Sequence, residues 1–187
     1  AFDPTASPAE ALLGYMDQAG VERAVIVNHH LYGDQNAATL EAVKRWPDRF
    51  SGFVDLGAMD QADASDQLER LIGEGLAGLK IEVSITRRLR ADFRFDGERE
   101  RSVFERLNQL KSRLILDLNN ATAEDIPALR QLIEACPNVR FVICHLGGAP
   151  RPGWVERALL ARHPRVWVDL ASLQAPFGPD HEYPYPE

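Results

Sequence analysis

Cysteine is scarce: the 187 residues contain two, Cys136 and Cys144, with no CxxC spacing and no Cys/His ladder around them. That leaves no basis for a disulfide scaffold or a zinc finger, and both thiols are expected to be small core residues of a protein kept in a reducing compartment. Long apolar runs are also missing. No stretch reaches the roughly 20 residues a membrane helix needs, and no basic segment followed by an apolar run opens the chain, so a membrane partner is not expected and a cytoplasmic protein is. Basic charge is in deficit, with 21 Lys and Arg against 28 Asp and Glu and a net charge of −7. A surface of that sign repels nucleic-acid phosphates, and no nucleic-acid partner is expected. The patterns GxxxxGK[ST], HExxH and GxSxG are absent, which sets aside phosphate-loop, zincin and nucleophile-elbow chemistry. One GxGxxG match runs from Gly73 to Gly78. It closes a helical pattern and opens a strand, the reverse of the order a dinucleotide fingerprint needs, so no nucleotide cofactor is expected.

The residues present describe an ordinary soluble domain, 45% hydrophobic and 26% charged. A chain of this length buries roughly 70% of its unfolded surface and fits one domain, taken here as residues 1–187. Ser7-Pro8-Ala9-Glu10 has the pattern of a capped helix start. Leu12, Tyr15, Met16 and Ala19 then make an apolar stripe, and Gly20 supplies a left-handed stop. The β-branched run Ala24-Val25-Ile26-Val27 reads as a strand covered on both faces. The alternation continues. Further strands are expected at 53–56, 79–81, 114–116, 141–144 and 166–168. Helical stripes fall at Leu40/Val43, Leu68/Leu71/Ile72, Val103/Phe104/Leu107/Leu110, Ile126/Leu129/Ile133 and Val155/Ala158/Leu159. Alternating strands and helices mean a parallel sheet with helical crossovers, either a (β/α)8 barrel or an open doubly wound sheet. Six strands and a leading helix fall short of the eight strands and about 250 residues of a closed barrel.

In such a sheet the chemistry sits at the C-terminal strand ends, and here every strand ends polar: Asn28-His29-His30, Asp55, Lys80 with Glu82, Asp117 with Asn119, His145 and Asp169. The period of two turns Lys80 and Glu82 to one face, and Asp117 and Asn119 likewise. His145 closes the most apolar strand and precedes Leu146-Gly147-Gly148. An imidazole there suits acid–base work or metal ligation. After the third of these polar clusters (Lys80 with Glu82), Arg87, Arg88, Arg90 and Arg94 gather in a loop. They read either as a clamp for an anionic substrate or as a solvated loop neutralised by Asp92, Asp96, Glu98 and Glu100.

The segment Val139 to Gly148, which ends in Cys144-His145-Leu146-Gly147-Gly148, resembles the sixth-strand motif of the amidohydrolase-related family. Leu13 to Val25, Trp46 to Gly52, Gly78 to Ile81 and Glu182 to Pro186 are similar, in order, to other segments of that family. The resemblance implies a distorted (β/α)8 TIM-barrel of which this chain covers strands two to seven. The family's first-strand HxH and eighth-strand aspartate would then lie outside it, and the isolated chain is expected to be inactive. It implies hydrolysis or decarboxylation of a small carboxylated or lactone substrate, with His145 as general acid/base, Lys80 stabilising negative charge, and Asp117 orienting water or holding a metal. Glu82, Asn119, His29, Arg87 and Arg88 are the substrate-binding candidates. Metal-dependent members place a histidine where Asp117 stands, which weakens a zinc site, and some relatives work without metal. A divalent zinc or manganese on Asp117 and His145 thus stays open. The rival reading is a non-catalytic open-sheet binding module or a degenerate barrel remnant. Open sheet edges would in either case invite homo-oligomers.

Overall fold

The β-branched and apolar runs become strands where expected in a computed structural model that describes residues 8–149 and 151–172. They are β1 (Ala24–Ile26), β2 (Phe50–Gly52), β3 (Val54–Asp55), β4 (Gly78–Glu82), β5 (Arg113–Asp117), β6 (Arg140–Ile143) and β7 (Val166–Val168). The strand expected at 53–56 begins earlier and is broken at Phe53. Its first half, β2, pairs with β1 and its second half, β3, with β4. The Phe53 amide donates to the Ile26 carbonyl at 3.1 Å, so one bent strand bridges the two pairings. The bend uses a glycine because a Cβ on Gly52 would stand 2.4 Å from Thr39 Cγ2.

All described pairings are parallel, and the order β3-β4-β5-β6-β7 follows the sequence. A doubly wound sheet reverses its strand order at a switch point. No reversal occurs among the described strands, which decides between the two parallel architectures: this is an arc of a (β/α)8 barrel. The helices are α1 (Ala9–Ala19), α2 (Asn36–Arg45), α3 (Ala64–Gly73), α4 (Val83–Leu89), α5 (Glu98–Gln109) and α6 (Asp125–Ala135), followed by a short helix at Trp154–Ala158. One strand face buries Leu79, Ile81, Leu114, Leu116, Phe141 and Ile143 against helical Leu68, Val103, Leu107 and Leu129 in a continuous core. The period of two sends Lys80, Glu82, Asp117 and Trp167 to the opposite face, the interior of a closed barrel.

Some local expectations change. Ser7 lies outside the described residues; Pro8 holds the N-cap position of α1 without a side-chain cap, while Gly20 stops the helix at φ +67° as read. Of the α1 stripe only Met16 is buried, and Tyr15 is exposed. The arginine-rich segment after β4 begins as a helix, α4, rather than a loop. In the last helical segment Val155 and Leu159 face solvent, and Arg157 and Leu160 are buried in their place. Trp167 is half exposed on the open sheet face. The aromatic-proline run Glu182 to Pro186 lies outside the described residues. Among the described residues no helix is long and apolar enough to cross a membrane.

Candidate active site

Parallel strands bring their C-terminal ends to one rim, and three polar groups form along it. After β1 the chain turns into a single 3-10 turn, His30–Tyr32. His30 Nδ1 lies 3.1 Å from Asp55 Oδ2, and Asp55 Oδ1 accepts the Gly57 amide at 2.8 Å. Asn36 holds the main chain of Asp55 from both sides, donating to its carbonyl at 2.7 Å and accepting its amide at 2.9 Å. In the second group Lys80 Nζ donates to the Asn28 carbonyl at 2.8 Å and to Glu82 Oε2 at 3.1 Å. His29 Nε2 meets Glu82 Oε1 at 3.1 Å while its Nδ1 accepts the Leu31 amide. That assigns the proton of the neutral His29 ring to Nε2. Two of the three ammonium donors of Lys80 are thereby used.

The third group centres on His145. The register sets Glu82 beside Asp117, one strand spacing of about 4.8 Å apart. His145 Nε2 faces Asp117 Oδ2 at 3.5 Å. His145 Nδ1 lies 2.8 Å from the Ala171 carbonyl, which accepts only, so Nδ1 carries a proton and Nε2 is the position that exchanges one. Asp169 adds a carboxylate 3.8 Å from Nδ1 and accepts the His145 amide at 2.8 Å. The backbone that presents this ring is strained: φ is positive at His145 (+55°), Leu146 (+49°), Gly147 (+75°) and Gly148 (+83°). Two non-glycine residues held left-handed cost on the order of 1–3 kcal/mol each and persist only where surroundings over-determine them. Here the Leu146 amide bonds the Asp169 carbonyl at 2.8 Å and the Gly147 amide the Cys144 carbonyl at 3.0 Å.

The rim thus gathers His29, Lys80, Glu82, Asp117 and His145. Asn119 stands just beyond, its amide on Asp117 Oδ1 at 3.0 Å and its side-chain oxygen bonded by Arg151. Arg87 is drawn elsewhere, into a bidentate pair with Asp125 at 2.5 and 3.0 Å. Arg90 is buried against Glu100, Arg94 pairs with Asp96, and Arg88 is exposed. Asp169 belongs to the row of polar strand ends, but its hold on His145 depends on a turn the sequence does not reveal. Cys144, beside it, is pushed above the ordinary thiol range by burial and by the negative charges of Asp169 and Asp117, which leaves it a poor nucleophile. Asp117 and His145 offer one carboxylate and one imidazole to a divalent metal. Among the described residues no group of three metal-ligating side chains forms, so these residues do not by themselves make a metal site.

Comparison with known proteins places this chain in a family. The amidohydrolase family model matches residues 1–186. The chain is 26% identical over 178 residues to the 4-sulfomuconolactone hydrolase of Hydrogenophaga intermedia, covering 90% of this chain and 54% of that protein, so it spans about half the length of this relative. Among solved structures it resembles a probable 2-pyrone-4,6-dicarboxylic acid hydrolase from Acinetobacter baumannii, crystallised with citric acid, at 16% identity and a TM-score of 0.66, covering 91% of this chain and 64% of that one. An uncharacterized TIM-barrel protein from Bordetella bronchiseptica gives the same TM-score at 18% identity over 86% of this chain and 58% of that one. At these identities the structures establish the fold.

Proposed function

The chain belongs to the amidohydrolase family, and from that premise we propose that it contributes the acid–base half of a site hydrolysing a small anionic lactone. The observation that carries the reading is the pose of His145, with Nδ1 on the Ala171 carbonyl and Nε2 facing Asp117 Oδ2 across 3.5 Å. A general acid/base needs one nitrogen fixed and the other free to exchange its proton at the reacting atom. In the proposed reaction a water adds to the lactone carbonyl and its proton passes to His145 Nε2. The ring C–O bond then breaks, and the alkoxide takes that proton back to give a hydroxy acid. Asp117 aligns the water and favours the imidazolium between the two transfers. Lys80, with one ammonium proton uncommitted, stabilises the charge that develops on the carbonyl oxygen. Glu82 and His29 hold Lys80 in place, and Asn119 offers its amide group to substrate. Exposed Arg88 supplies cationic charge for a substrate carboxylate, whereas Arg87 is engaged by Asp125 and is the weaker clamp candidate.

Members of the amidohydrolase superfamily typically use a divalent metal, and zinc or manganese is the candidate ion for this chain. Asp117 and His145 are the two donors this chain would lend it. The naming of the Hydrogenophaga relative as a lactone hydrolase supports ring opening over decarboxylation. The test uses protein expressed from its complete gene with a panel of carboxylated lactones and carboxylated arenes. Lactone opening that His145→Asn slows by about 10²–10⁴ is the expected result. Unchanged turnover in that variant rules out the role given to His145, and release of CO2 from the arenes without ring opening replaces hydrolysis by decarboxylation.

A further inference from the structure

One buried cation at this rim has no part in the proton transfers. Arg157, on the short helix Trp154–Ala158, is 2% exposed. Its hydrogen bonds among the described residues go to main-chain carbonyls: Nε to Gly147 at 2.5 Å, and Nη1 to Ala121 at 3.2 Å and Pro152 at 3.1 Å. Burial pushes its pKa down, with the nearby Glu156 carboxylate opposing, yet a guanidinium remains charged in a protein. A buried charge satisfied only by carbonyls from three loop segments is costly to maintain and fixes those segments to one another.

The segments joined are the ones that carry the acid–base pair. Ala121 follows Asp117 in the turn after β5, and Gly147 follows His145 in the left-handed turn after β6. Glycine is needed on the face Arg157 touches: a Cβ on Gly147 would stand 2.9 Å from Arg157 Cβ, the Ala158 amide nitrogen and the Trp154 carbonyl oxygen. A Cβ on Gly148 would stand 3.5 Å from Asn119 Oδ1, 3.6 Å from Arg157 Nη2 and 3.9 Å from the Leu118 carbonyl oxygen. The positive φ values at His145 and Leu146 thus coincide with a turn clamped from outside by one side chain.

We propose that Arg157 is a positioning residue, the rivet that locks the His145–Gly148 turn to the loop after β5 and so aims His145 Nε2 at Asp117. Its functional meaning rests on the reading of His145 as the acid–base group, but its test does not need substrate. Lysine at this position keeps the charge and loses the planar fork that reaches several carbonyls at once.

The experiment is nitrogen-15 histidine NMR with amide hydrogen exchange on Arg157→Lys, Arg157→Met and Gly147→Ala in the protein expressed from its complete gene, with His145→Gln to assign the ring signal. Release of the turn is expected to speed exchange of the His145 Nδ1 proton, and of the His145 and Leu146 amides bonded by Asp169, at least tenfold. The amides of Leu79 and Leu114 in β4 and β5 should keep their protection. His145 signals that stay unchanged in the lysine and alanine variants overturn the proposal. Protection lost evenly through the sheet also overturns it, because Arg157 would then serve the fold as a whole. If wild-type protein opens no lactone, the proposed function fails while this assignment stands or falls on the exchange data alone.

Discussion

Asp125 shows how a single residue can draw one arginine out of the basic cluster. Burial pushes its carboxyl up, but the Arg87 guanidinium and the Thr122 amide, which donates at 2.7 Å, pull harder in the other direction, and the net value lies below the ordinary one. A carboxyl whose folded pKa is depressed adds stability that is complete above its unfolded pKa of about 4 and is lost as pH falls through the folded value. Asp125→Asn is therefore expected to destabilise the protein by about 1–2 kcal/mol at neutral pH, read as a lower urea midpoint. The gap to wild type should close in acid, once the native carboxyl is protonated as well. A gap of the same size at pH 7 and in strong acid would show that the pair's charge contributes nothing. The sequence displayed the basic cluster but not this partner, because Asp125 lies 38 positions from Arg87 and meets it only through the fold. The same limit hid Arg157, which locally reads as a solvated helix position and is buried only because two distant turns close over it.

At the scale of elements, the strand edges are set by close main-chain approach. Gly78 opens β4, and a Cβ there would stand 2.2 Å from the Arg113 carbonyl oxygen and 2.9 Å from Phe53 Cε1. Neither can yield cheaply, since one is the backbone of the neighbouring strand and the other a buried ring. Gly78→Ala is expected to cost about 3 kcal/mol of stability, and a urea-derived loss below about 1 kcal/mol would mean that β4 and β5 can slide apart freely. The strands and the GxGxxG turn that ends at Gly78 were legible because burial enriches β-branched and apolar residues, although β1, expected to be covered on both faces, leaves Val25 exposed in this arc. Two features were not legible. The break at Phe53 depends on α2 pressing Thr39 against Gly52. The left-handed turn at His145–Gly148 places histidine and leucine where their own preference is extended or right-handed, and the groups that hold the His145 ring and amide, Asp169 and the Ala171 carbonyl, are remote in sequence. The candidate site was thus readable as a row of residue types, while the geometry that pairs His145 with Asp117 was not.

The whole molecule is an arc whose two ends differ from its middle. The central strands are covered on both edges, but β1 pairs only with β2, and β7 only with β6, among the described residues. Large apolar side chains are exposed near these ends: Tyr15 at 70% and Val25 at 56% beside β1, Trp167 at 50% and Leu170 at 65% in and after β7. An open parallel edge with unpaired N–H and C=O groups next to apolar surface is a template for further pairing. The net charge of −7 opposes self-association but acts at long range and is screened by salt, whereas edge pairing is short-ranged. The 187-residue chain expressed alone is therefore expected to associate as its concentration rises through the micromolar range, and more readily as salt is added. Lysine on an exposed edge is the usual block to such pairing, so the double variant Val25→Lys with Trp167→Lys should remain monomeric over the same range. Sedimentation velocity reads both outcomes: a wild-type chain that stays monomeric at high salt would mean that its edges are protected, and association undiminished in the double variant would place the contact elsewhere on the arc.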